Sequence, residues 1–262
     1  MDRPRAMPVR ILGVAVAMLL ASPTRAQSEA ELAQVAKSLG VITSPDAKGF
    51  GNATVLDACH VLTNFHVAFG TTKDPLTGQV QTVDNPAVGH VVEFSYKLDA
   101  QTGQMANKMR ATVIEFDDYA PGVGRGMVAD KALLRLEGCL EKDYINVVLD
   151  RPAAEQRVPA GNLVALGLIK ESGKFKILTI GSCPSFPATI VTGLFLANCR
   201  MPPGTSGSMI LSKERSDGKL RMVGLTTDGR LFDDGSFATY AIYSKDIAKF
   251  VDGGIRECKC TR

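Results

Sequence analysis

The sequence predicts an all-β fold, a barrel or a sandwich. Runs rich in Val, Ile, Thr, Phe and Leu recur at 52–57, 60–64, 90–97, 109–116, 132–136, 145–149, 162–168, 175–181, 188–197, 207–212, 219–227 and 237–243. Gly, Pro, Asp and Asn separate these runs at intervals that suit turns between short strands. Helical periodicity is confined to the two ends of the chain.

Residues 1–26 read as an export signal. Arg3, Arg5 and Arg10 precede an apolar run from Ile11 to Ala21, and Thr24-Arg25-Ala26 supplies small residues at the two positions that a cleavage after Ala26 needs. The apolar run is far shorter than the roughly 20 residues that cross a bilayer as a helix, so no stable membrane insertion is expected after cleavage. Four of the 30 basic residues and one of the 27 acids lie in this segment. The remainder is therefore balanced in charge, which gives no electrostatic footprint for nucleic acid or an acidic membrane.

A short helical segment follows, over 27–47. Within it Ser28 and Glu31 form a capping box, and Leu32, Val35, Ala36 and Leu39 share one helical face over 28–39. The strands then fall into two groups, 48–140 and 161–262. A stretch around 137–160 that contains Pro152 and Pro159 divides them, with the linker proper at 141–160. The second group ends in a helix at about 245–252, with Ser244 as N-cap and Gly253-Gly254 as the stop. Six cysteines in an exported chain read as disulfides. Cys183 and Cys199 flank a hairpin and are expected to pair. The tail cysteines Cys258 and Cys260 are expected to join Cys59 and Cys139, in either order. No cysteine–histidine spacing suits a structural zinc, and no metal or other cofactor is called for.

Residues 203–209 read PGTSGSM. Glycines on both sides of Ser206 suit either a plain surface turn or a nucleophile turn. A serine nucleophile needs a base, and the base needs an orienting carboxylate. The chain has three histidines. His66 ends the strand-like run VLTNFHV, whereas His60 and His90 read as ordinary structural residues. Asp130, followed by Lys131, leads into the apolar run ALLRL. Asp117 and Asp118 are rival acids in a polar loop.

Leu62–Val67, Asp130–Leu136 and Gly204–Ser208 together resemble the three motif blocks of the chymotrypsin/trypsin-like serine peptidases, in that family's order. LTNFHV is most similar to bacterial exported branches, among them the glutamyl endopeptidase-like and periplasmic heat-stress proteases. The resemblance covers about residues 48–252 and implies two antiparallel six-stranded β-barrels, without a C-terminal peptide-binding domain. It implies that His66 is the general base, Asp130 its orienting acid and Ser206 the nucleophile, with the N–H groups of Gly204 and Ser206 as the oxyanion hole. Thr226, Thr227 and Gly229 would line the substrate cleft, and Arg200, six residues before Ser206, would lie at its specificity pocket. Thr205 and Met209 depart from the Asp and Pro usual at their positions. Protein or peptide substrates are the implied partners. The competing reading is an inactive binding or adhesion module on the same fold. An α/β-hydrolase is disfavoured, because its serine precedes its acid and histidine.

Overall fold

The computed structural model describes residues 23–44, 50–73, 80–82, 86–117, 125–151, 163–187, 192–212, 219–231, 237–255 and 258. Most of the predicted export signal, Asp118, Cys260 and much of the 141–160 linker lie outside the described residues. The chain is mostly β, as its sequence predicts. Among the described residues no helix is long and apolar enough to cross a membrane.

Helix α1 (Pro23–Ala36) leads into β1 (Leu39–Thr43), β2 (Gly51–Val55) and β3 (His60–Thr63). A short helix, α2 (Phe65–Phe69), follows, with a side hairpin of β4 (Thr71–Lys73) and β5 (Val80–Thr82). Then come β6 (Val91–Leu98), β7 (Met105–Phe116), α3 (Arg125–Val128) and β8 (Ala132–Leu136). Six of these strands close an antiparallel barrel in the order β1-β2-β3-β8-β7-β6. Its interior is filled by Ile42, Val55, Val61, Phe65, Phe94 and Leu134, among others.

β1 corrects the expectation of a wholly helical 27–47. It pairs with β2 on one side and β6 on the other, and without it the barrel would be open. Leu39 belongs to this strand rather than to the preceding helix, and is buried with Val41 and Ile42.

The second unit contains β9 (Leu163–Glu171), β10 (Lys174–Cys183), β11 (Ser185–Pro187), β12 (Leu194–Ala197), β13 (Met209–Ser212), β14 (Arg221–Leu231), β15 (Phe237–Tyr243) and α4 (Ser244–Gly254). Its strands form one seven-stranded sheet, β10-β9-β13-β14-β15-β12-β11. The expectation of a second closed six-stranded barrel is corrected here. The two edge strands are consecutive in the chain, separated by Pro184 alone, so the sheet curls until its edges nearly meet. Among the described residues no backbone ladder joins those edges. The Cys183–Cys199 disulfide, as expected, ties the end of β10 to the chain just beyond β12.

Three smaller expectations also change. Residues 145–149 form no strand: Leu149 makes a single bridge to Met222, while Val147 is buried in the core and Val148 is exposed. The run 188–197 is a strand only over β12, with 188–191 outside the described residues. At the C-terminus α4 begins at Ser244 and its cap is Tyr243. Ile247 and Val251 on α4 pack into a core that also holds Val41 and Leu62 of the barrel and Leu166, Met209 and Leu225 of the sheet. One apolar core therefore spans both units. The tail then returns to the barrel, where Cys258 bonds to Cys59. Cys139 is disulfide-bonded as well, its sulfur 3.5 Å from that of Cys59.

Candidate active site

The pairing of β3 with β8 places His66 beside Asp130. Thr63 at the end of β3 faces Ala132 at the start of β8. Because the strands are antiparallel, the residues just after β3 meet those just before β8. Asn64 begins α2 without capping it. Its side-chain amide donates instead to the Asp130 carbonyl at 2.9 Å. The His66 backbone N–H donates to Asp130 Oδ1 at 3.0 Å, and His66 Nδ1 lies 2.7 Å from Oδ2. An ionised carboxylate can only accept, so Nδ1 carries the proton and Nε2 is left as the basic nitrogen. Asp130 is fully buried, while the His66 side chain is 21% exposed.

Burial alone would pull the His66 pKa down. The Asp130 carboxylate, by its charge and its hydrogen bond, and Asp228, by its charge, outweigh that effect and hold the pKa above its ordinary value.

The Ser206 turn connects to the same carboxylate through β14. Ser206 Oγ donates to the Thr227 carbonyl at 3.4 Å, a long bond near the limit of what counts as one. The Thr227 hydroxyl donates to Asp130 Oδ2. One residue thus touches both Ser206 and the acid that holds His66. Ser208, the alternative serine, has its hydroxyl buried against Gly167.

The turn is held from both units. The Asn52 N–H of β2 donates to the Ser206 carbonyl at 2.7 Å. The Asn52 side chain donates to the carbonyls of Gly204 and Leu168 and accepts from the Leu168 N–H. From β14, Thr226 Oγ1 donates to the Thr205 carbonyl and accepts from the Ser208 N–H. Gly204 and Gly207 have φ of 88° and 82°, where a side chain is disfavoured. At Gly207 a Cβ would also stand 2.1 Å from the Asn52 carbonyl oxygen.

These contacts consume the turn's N–H groups selectively. Thr205 N–H donates to the Pro202 carbonyl, Gly207 N–H to Thr226 and Ser208 N–H to Thr205. Among the described residues the N–H groups of Gly204 and Ser206 meet no protein acceptor. Thr205, which departs from the resembling family's Asp, is buried and bonds locally to the Pro202 carbonyl at 2.6 Å.

Ser206, Gly204, Arg200, Thr226, Thr227 and Gly229 all line one cleft of about 610 Å³. The other histidines stand apart from Ser206 in their contacts. His60 is buried and bonded to Asp57, and His90 packs against the Phe69 ring. Of the rival acids, Asp117 pairs with buried Lys131. The roles of Asn52 and Asp228 were not read from the sequence. A polar residue inside the strand run GNATV was the only signal for Asn52.

Three described cysteines, Cys59, Cys139 and Cys258, bring their sulfurs within 4.8 Å of one another. Two of them are bonded to each other, which makes the cluster a disulfide node rather than a ligand set. No family model matches the chain, and no curated protein does.

Proposed function

We propose that this chain is an exported serine endopeptidase of the chymotrypsin/trypsin-like kind, acting through His66, Asp130 and Ser206. What carries the reading is the hydrogen-bonded sequence Ser206–Thr227–Asp130–His66, of which Ser206 and Thr227 line a cleft. It is supported by the two unengaged N–H groups of the turn and by the disulfides, which fit an oxidising compartment.

In the proposed reaction the Ser206 hydroxyl turns from the Thr227 carbonyl to His66 Nε2. As Oγ attacks the substrate carbonyl carbon, its proton passes to Nε2 and the carbonyl π pair moves onto oxygen. Asp130 stabilises the imidazolium. The N–H groups of Gly204 and Ser206 receive the oxyanion, a contribution of about 3 kcal/mol per donor in such sites. Collapse breaks the C–N bond, and the imidazolium gives its proton to the leaving amine. Water, deprotonated by the same imidazole, then cleaves the acyl-enzyme.

A fluorophosphonate probe tests this directly. Folded protein should be labelled at Ser206, and Ser206→Ala should not be. His66→Ala should lower kcat/KM on peptides by roughly 10⁴- to 10⁶-fold. Absence of labelling alongside a reactive control protease, or a His66→Ala variant with substantial activity, would sink the assignment.

A further inference from the structure

We propose that Cys59, Cys139 and Cys258 form a thiol–disulfide exchange site, at which a dithiol reductant moves the bond of Cys59 from the C-terminal tail to Cys139. Its chemistry is independent of Ser206 and His66. The barrel brings Cys59 and Cys139 together by its own backbone. Cys59 lies just before β3 and Cys139 shortly after β8. The pairing of these strands continues past their ends. The Leu136 N–H donates to the Cys59 carbonyl at 2.7 Å, and the Leu140 N–H to the Ala58 carbonyl at 2.8 Å. Asp57 Oδ1 accepts from the Cys59 N–H at 2.8 Å and from the His60 N–H at 2.9 Å, which pins the backbone on either side of the Cys59 side chain. The two sulfurs stand 3.5 Å apart, yet the bond of Cys59 is to Cys258. Cys258 arrives from outside the barrel, on the tail beyond α4 and 199 residues away in the chain. Cys59 therefore has two cysteines within reach, one set by the barrel and one brought by the tail.

Access is graded across the site. Cys59 is buried, Cys258 half-buried and Cys139 exposed. Cys59 and Cys139 line a cavity of about 510 Å³ together with Thr112, Arg135 and Glu137, which leaves room for a small dithiol. Cys139 carries a disulfide of its own, and its exposure makes that bond the one a reductant meets first. A thiolate of the dithiol attacks this bond, and its second thiol then closes the reductant into a disulfide. Cys139 and its former partner are left as thiols. The Cys139 thiolate, no longer tied, turns onto Cys59 Sγ and closes from 3.5 Å to the roughly 2.05 Å of a bond. As that bond forms, the one between Cys59 and Cys258 breaks. Its electron pair departs on Cys258, which takes up a proton. One dithiol thus supplies the two electrons and two protons of the whole exchange. The barrel keeps a crosslink and α4 keeps the packing of Ile247 and Val251, but the tail loses its tie at Cys258.

The test adds graded dithiothreitol to folded protein, traps thiols with excess N-ethylmaleimide and maps the peptides without further reduction. Cys258 should take up label at least about tenfold faster than Cys59. A peptide linking Cys59 to Cys139 should appear as the one linking Cys59 to Cys258 disappears. The Cys183–Cys199 bond, whose residues are both 1% exposed, should stay closed at that stage and so reports that the fold persists. Labelling of Cys59 and Cys258 in step, with no Cys59–Cys139 peptide at any level of reductant, would overturn the proposal. So would an exchange that begins only once Cys183 and Cys199 are labelled, because it would then belong to the unfolded chain.

Discussion

In the closed barrel, His66 and Asp130 meet because two paired strands end beside each other, and the register of β3 and β8 suffices. In the open sheet, Ser206 sits on a turn between Cys199 and β13 that no ladder controls. It is placed by clamps instead: Asn52 from the other unit, Thr226 from β14, and the disulfide at the sheet's edges. Closing a loop of 16 residues, this disulfide contributes roughly 3 kcal/mol in the chain-entropy account. A closed barrel has no edges to secure. The open sheet must secure both its edges and the Ser206 turn by side chains.

The sharpest way to break the open-sheet side of this comparison is Gly207→Ala. The added Cβ would meet a backbone oxygen at 2.1 Å, and neither backbone can yield cheaply. A loss of about 4 kcal/mol or more is expected, from strain and overpacking together. Urea unfolding measures it. A loss below about 1 kcal/mol would show that the turn is not held against β2 as described.

Asn52→Ala comes next. It removes three hydrogen bonds from a fully buried side chain and leaves the Gly204 and Leu168 carbonyls and the Leu168 N–H without that partner. About 2–4 kcal/mol of stability should go. The fluorophosphonate rate at Ser206 should fall, while the His66 ring titration should stay close to wild type, since the pair it forms with Asp130 is placed within the barrel. Equal disturbance of His66 would remove the distinction between the two modes of support.

The same division explains what could be read from the sequence. HVLTNFH and DKALLRL mark strand ends with a candidate site residue just outside, and strand ends are local features. The glycines at 204 and 207 announce a turn of unusual backbone, again locally. β1 was hidden because LGVIT follows directly on an amphipathic helix and continues its apolar spacing. It is a strand only because β2 and β6 are there to pair with it. Residues 145–149 (INVVL) look like a strand by composition, yet only Leu149 finds a ladder partner. Asn52 is a lone polar side chain in its run, and nothing local marks it as buried. All five residues of β2 are buried, because the second unit covers the face that would otherwise meet water. Whether the second sheet closes depends on how far its seven strands curl together, which no local pattern encodes. The clamps between units were therefore the part least open to sequence reading.

Asp228→Asn gives the smallest effect and probes the one charge that the open sheet adds to the barrel's imidazole among the described residues. Asp228 helps to hold the His66 pKa above its ordinary value, after Asp130 in size. A base must be unprotonated, so kcat/KM should rise with pH through that raised value. Asparagine keeps the shape and removes the negative charge, so His66 should give up its proton at lower pH and the acid limb should move downward. The side chain is exposed, so the difference between wild type and variant should shrink as salt is raised. An uncharged peptide substrate limits the influence of the other charged groups of the cleft, Arg200 and Glu171. An acid limb that stays put at low salt, or moves upward, would mean that Asp228 does not act on His66 and that the barrel alone sets the basicity of its histidine.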